Sequence, residues 1–235
     1  MYILDPAETA RLLDLGVDVE AVTTAEITTA GGSLLASGQT PLHIAAGYNE
    51  EPAVSALLLD RGADITATNN FGQTPLHLAA RYNVNPTVAA LLLDRGADIT
   101  AADHSGWTAL HYAIEHNENP AVSSLLLDRF TNITSTDCFG LTPLPWAVKY
   151  GNYEIVEYLL ERGAGVEARV LDMFGWTALH LAAERASKQT WNYEIIERLL
   201  HSGADITVLT YHGKTPYQIA VECGADEDVL RLLRE

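Results

Sequence analysis

A phrase of nine residues, Gly72-Gln73-Thr74-Pro75-Leu76-His77-Leu78-Ala79-Ala80, returns along the whole chain, and its spacing restricts the fold more than composition does. Related copies open at Gly38, Gly106, Gly140, Gly175 and Gly213, so that successive glycines lie 34, 34, 34, 35 and 38 residues apart. A second phrase, Leu57 to Thr66, keeps the same beat at Leu91 to Thr100, with looser copies ending at Thr134 and Thr207. A period of this length belongs to a stacked array, in which each unit covers apolar surface on its neighbours.

Each unit predicts two helices. Thr74 before Pro75 is a helix start, because the hydroxyl caps orphan amides and proline sits where no N–H is needed. Leu76, Leu78, Ala79 and Ala80 then give a short helix with small sides. A second helix opens near Pro86, carries Val88, Leu91, Leu92 and Leu93, and ends at Gly96, which tolerates a left-handed terminus. On these residues the chain resembles the ankyrin-repeat family, whose period and Thr-Pro-Leu-His phrase it repeats over essentially its full length. The resemblance implies an all-α repeat solenoid of stacked helix-turn-helix units with β-turn or hairpin fingers. The reading is a single domain, 1–235: an incomplete unit at 1–39, full units at 40–73, 74–107, 108–141, 142–176 and 177–214, and a C-terminal cap at 215–235.

The departures from regularity are informative. Asp5 to Asp18 aligns with a second helix that no first helix precedes; Tyr2, Ile3 and Leu4 fold over the bare end, or the array begins further back, or another chain pairs there. The first finger exceeds the one after Asp64 by 12 residues. It alternates Val22, Ala25 and Ile27 and turns at Gly31-Gly32, as a hairpin or an ordered loop that serves as a projecting arm or a tolerated insertion. Three units carry one extra residue between their helices, at Asn49 to Pro52, Asn83 to Pro86 and Asn117 to Pro120. Phe130 and Asn132 replace the usual glycine and aspartate, and Pro145 and Trp146 replace the usual histidine and aliphatic residue. Either Trp146 fills the space that Pro145 opens, or the chain kinks and offers an apolar contact at Phe130.

Acidic residues outnumber basic ones 31 to 14, for a net charge of −17. Such a surface repels phosphate backbones and anionic lipid. It favours a neutral or basic protein partner, or serves solubility alone. No apolar run approaches the length of a membrane span and no leader opens the chain, so a soluble, cytoplasmic protein is expected; secretion without a leader stays open. Cys138 and Cys223 fall in separate units, too far apart for a bridge, which fits a reducing compartment. Asn132-Ile133-Thr134 matches a glycosylation acceptor, unused in the absence of a leader.

Histidines recur in phase at 43, 77, 111 and 180, and that periodicity argues against a metal site, because equivalent positions lie about one unit apart. The resemblance implies instead that they bond to neighbouring backbone. His104, Cys138 and His212 are scattered over separate fingers. No phosphate loop, zinc motif or nucleophile elbow is present, so neither catalysis nor a cofactor is expected. The resemblance places a partner on the concave side, formed by the finger tips, the residue after each glycine and the last turn of each first helix. Those positions hold Tyr48, Tyr82, His116 and Tyr150; Phe71, His104, Phe139, Phe174 and Tyr211; and Trp107, Leu141 and Trp176. Arg81, Lys149, Glu184 and Arg185 add charge. Some of these rings pack against the neighbouring unit instead. The expected function is a monomeric, non-catalytic scaffold or adaptor for protein–protein interaction. The alternatives are a self-assembling repeat protein and a regulatory or targeting (effector) module of a larger system.

Overall fold

A computed structural model of the protein describes residues 5–21, 27–28, 34–35, 38–129, 141–150, 152–170, 174–186 and 192–234. The chain divides into two compact units, Met1–Phe130 and Thr131–Glu235. The first opens with α1 (Pro6–Asp14) and a short antiparallel hairpin, β1 (Ile27–Thr28) against β2 (Leu34–Leu35), in which Ile27 faces Leu35. Of the long first finger the structure describes these paired strands, while Val22, Ala25 and Gly31-Gly32 lie outside the described residues. Three helix pairs follow: α2 (Pro41–Tyr48) with α3 (Pro52–Asp60), α4 (Pro75–Tyr82) with α5 (Pro86–Asp94), and α6 (Ala109–His116) with α7 (Pro120–Arg129). The second unit repeats the plan in α8 (Pro143–Tyr150) with α9 (Tyr153–Glu161), α10 (Ala178–Arg185) with α11 (Asn192–His201), and α12 (Pro216–Glu222) with α13 (Glu227–Leu232).

The helix starts follow from the threonine phrase. Thr40, Thr74, Thr108 and Thr177 are extended, and the backbone N–H and hydroxyl of each lie within reach of the Nδ1 of the histidine three residues on. A backbone N–H can only donate, so each Nδ1 accepts and the ring proton sits on Nε2. That proton is donated to the next repeat: His43 to the Gln73 carbonyl at 2.9 Å, His77 to Trp107 at 2.9 Å and His180 to Lys214 at 3.2 Å. His43, His77 and His180 thus tie one repeat to the following finger.

Within the first unit α2, α4 and α6 pack side by side, and α1, α3, α5 and α7 form a second row behind them. Leu42, Leu76 and Leu110 are buried in the first row, with Ala45, Ala46, Ala79, Ala80 and Ala113 between them. Their small size permits the close approach: a Cβ placed on Gly47 would stand 3.2 Å from that of Leu78. Leu58, Leu92 and Leu126 fill the second row. Cutting any of these leucines to alanine costs about 2–5 kcal/mol. Arg61, Arg95 and Arg129 each reach the aspartate of the preceding repeat, Asp14, Asp60 and Asp94, at 2.8 Å. Such exposed rungs add little individually.

The inserted loops carry a second set of ties. Asn83 donates to the carbonyls of Ala46 and Asn49, both at 2.8 Å, while its own Oδ1 accepts from the Asn85 N–H at 3.0 Å. Asn117 does the same one repeat on, toward Ala80 and Asn83. Both amides sit in loops that carry the extra residue. Pro145 is the third residue of α8, where a backbone N–H has no partner inside the helix, so α8 is not interrupted. Trp146 is 1% exposed and fills the phase of Ile44 and Leu78. Residues 1–4, Phe130, Asn132 to Thr134, Cys138 and Phe139, all singled out in the sequence, lie outside the described residues. Among the described residues no helix is long and apolar enough to cross a membrane, and Cys223 is a free thiol.

Candidate functional site

In the first unit the last turns of the first helices bring rings together. Tyr48 and Tyr82 stack with centroids 5.1 Å apart and planes 24° from parallel. Arg81, one residue earlier on α4, places its guanidinium 4.9 Å from the Tyr82 centroid and 5.3 Å from that of Tyr112 on α6. Tyr112 is buried and continues the series, with Trp107 at 5.1 Å and His116 at 6.0 Å. Trp107 in turn stands 6.2 Å from His116. Tyr48, Tyr82, Trp107 and His116 from the sequence reading are therefore parts of one aromatic surface, with Arg81 inside it.

A polar chain beneath fixes this surface. The Tyr112 hydroxyl donates to Asp103 Oδ2 at 2.6 Å and accepts from Gln73 Nε2 at 2.7 Å. Gln73 Oε1 accepts from Asn69 at 3.0 Å. Asp103 Oδ1 takes the N–H groups of Ser105 and Trp107 at 2.8 and 2.9 Å, which shapes the finger and aims the tryptophan. Burial, and then its donation to Asp103, push the Tyr112 phenol up to about 12. Burial, then the neighbouring Tyr82, raise Tyr48 as well. His116 is held below its ordinary value by burial first and Arg81 second. These shifts keep the phenols of Tyr48 and Tyr112 and the imidazole of His116 toward their neutral forms around the Arg81 guanidinium.

Finger tips divide into packed and exposed residues. His104 lies against Gly72, where a Cβ would meet its backbone nitrogen at 2.8 Å, and its N–H donates to the Phe71 carbonyl at 3.0 Å. Its backbone closes one finger on the next, and Phe71 is left 52% exposed.

The second unit carries a similar group. Lys149 places its ammonium 5.1 Å from the ring of Trp146 and 5.5 Å from that of Tyr150. Phe174 is 57% exposed and adopts φ 59°, a sparsely populated conformation for a side chain of its size. Its carbonyl accepts from the Tyr211 N–H at 2.7 Å and its ring lies 4.9 Å from His212. Tyr211 covers Gly175, and Arg169 links its own finger to the next by donating to the carbonyls of Gly175 at 2.8 Å and Leu209 at 3.0 Å. Trp176 is half-buried beside His180 at 6.2 Å, Arg185 is half-buried at the end of α10, and Leu141 is consumed by the core. A groove of about 500 Å³ lined by Tyr153, Glu194, Glu197, Arg198 and His201 lies on α9 and α11, among the second helices and apart from all of these rings.

Sequence reasoning passed over Tyr112, Asp103, Gln73 and Arg169. Tyr112 did leave a signal, a hydroxyl-bearing ring at a phase filled elsewhere by Ile44, Leu78 and Leu181. No cluster of His, Cys, Asp or Glu with metal-site geometry occurs among the described residues.

A family model described as ankyrin repeats in three copies matches residues 7–103, 100–170 and 164–235. The crystal structure of the ankyrin repeat domain of Bcl-3, titled a unique member of the IkappaB protein family, is similar with a TM-score of 0.75 and 30% sequence identity. The match covers 98% of this chain and 92% of that one. No curated protein matches significantly. Repeats of this kind are generally modules for protein–protein interaction and generally non-catalytic. The family match spans the repeats from α1 to α13, and the chain belongs to the ankyrin-repeat family.

Proposed function

We propose that this protein is a non-catalytic scaffold or adaptor that holds a protein partner on the aromatic surface of its first unit. The observation that carries the reading is the partly exposed group of Tyr48, Tyr82, Arg81, Trp107 and His116, braced from below by Tyr112. Tyrosine, tryptophan and arginine supply large contact areas with polar handles, the combination that dominates interface energetics. The exposed tips Phe71, Phe174 and Tyr211, and Lys149 with Tyr150, are further contact candidates. The net charge of −17 favours a partner that is neutral or basic overall and disfavours nucleic acid.

The test is affinity capture with the parent protein and with a Tyr82→Ala/His116→Ala variant that melts like it. A protein retained by the parent and lost by the variant is the expected result. Equal retention on both would move the site away from this surface.

A further inference from the structure

We propose that Arg81 is the anchor for a single carboxylate, an Asp or Glu side chain of the partner flanked by apolar residues. This rests on the reading that the aromatic surface of the first unit holds a protein.

Arg61, Arg95, Arg129 and Lys214 each lie within 2.8 Å of a carboxylate. Arg81 differs. Among the described residues it forms no hydrogen bond and no ion pair, and its contacts are the faces of Tyr82 and Tyr112. Carboxylates outnumber bases 31 to 14 in this chain, so an arginine left without one is not short of candidates. The carboxylate bonded to Tyr112 is already committed: Asp103 takes two backbone N–H groups on one oxygen and the Tyr112 hydroxyl on the other. Glu115, at the same phase one repeat on, is turned toward His116 at 3.8 Å. At the same phase one repeat earlier stands Gly47, which has no side chain to compete.

With its central carbon over two ring faces, the guanidinium carries its N–H donors in its own plane, in the fork that matches a carboxylate. The stacking fixes its position beforehand, so less freedom is lost when the bond forms. Neutral rings around it lower the local polarity and strengthen a charge-assisted bond. They also set what flanks the acid, because apolar side chains suit those rings. A polyanion is a poor occupant, since the overall charge repels it. In the second unit Lys149 repeats the chemistry, lying on Trp146 and Tyr150 with no ion pair among the described residues.

The experiment is selection of a displayed random-peptide library on the parent, on Arg81→Glu and on Tyr82→Ala, with synthetic copies of the selected peptides titrated afterwards. Parent-selected peptides are expected to share one Asp or Glu beside apolar residues. Changing that acid to its amide should weaken binding roughly 10–100-fold. Arg81→Glu should lose the acidic peptide and prefer the same peptide with lysine in that place, and Arg81→Gln, which adds no charge, should lose most of the affinity. Peptides that depend on Tyr82 and are indifferent to Arg81 would overturn the carboxylate anchor while leaving the binding surface standing. Peptides that depend on neither, or no selected peptide at all, would overturn both.

Discussion

Tyr112 occupies a position that Ile44 and Leu78 fill with hydrocarbon, and its hydroxyl decides what the neighbouring finger does. Changing Tyr112 to Phe removes the acceptor of the Gln73 amide and the donor to Asp103. It leaves two buried polar groups without that partner and should cost about 1–3 kcal/mol in urea unfolding. Ser55 and Ser123 make the opposite case. Both are fully buried on second helices, and neither hydroxyl has a hydrogen-bond partner. Ala89 fills the same position in the repeat between them. Ser55→Ala should therefore raise stability by about 0.5–1 kcal/mol, through better helix propensity and no stranded hydroxyl. A loss on Ser55→Ala would mean that the hydroxyl finds a partner in solution. The repeat phase made the core leucines and the capping threonines legible in the sequence. It did not make Tyr112 legible, because that phase reads as apolar and its partners come from two different fingers.

At the scale of elements, the loop between the helices of a repeat is a tie rather than a spacer. The sequence shows one extra residue in each of three loops, and shows the 34-residue beat that results. The tie itself spans 34 to 37 residues, from Asn83 back to Asn49 and Ala46, and no local pattern specifies a bond across that distance. Asn83 is 2% exposed and makes three hydrogen bonds to backbone. Asn83→Ala should cost roughly 2–3 kcal/mol, since two carbonyls lose their donor in a buried loop. Asn85 caps α5 and reaches the Glu50 carbonyl from an exposed position. Asn85→Ala should cost about 1 kcal/mol. Denaturant midpoints of the two variants give the comparison, and equal losses would show that the loop amides act as caps alone. The aromatic surface was legible to a similar depth. Tyr48, Tyr82 and His116 were readable from the phase of the last helical turn and Trp107 from its place after a glycine, whereas Tyr112 and the placement of Arg81 over two rings depend on how α4 and α6 pack.

For the molecule as a whole, the histidines that join repeat to repeat also make stability depend on pH. Burial holds His43, His77 and His180 below the ordinary value of 6.5, and in each the Nδ1 accepts while Nε2–H donates. Protonation would put a second donor on Nδ1 facing the threonine N–H, so the folded protein resists it. The unfolded chain takes the proton near 6.5. The folded state therefore has its full stability above that pH and loses it on acidification, by up to about 1.4 kcal/mol per pH unit for each such histidine until its folded-state value is reached. Asp64, Asp98 and Asp205, held low mainly by the hydroxyls of Thr66, Thr100 and Thr207, lose their contribution only as pH falls through the lower carboxylate range. The chain already contains a replacement that does not titrate. In α12 the same position is Gln218, whose Oε1 accepts from the Thr215 N–H at 2.9 Å. His77→Gln should accordingly keep the helix start and take up about one proton fewer on unfolding. Urea midpoints measured from pH 7.5 to 5 should fall for the parent and fall less steeply for the variant. Parallel curves would place the titrating group elsewhere and reject the assignment to His77.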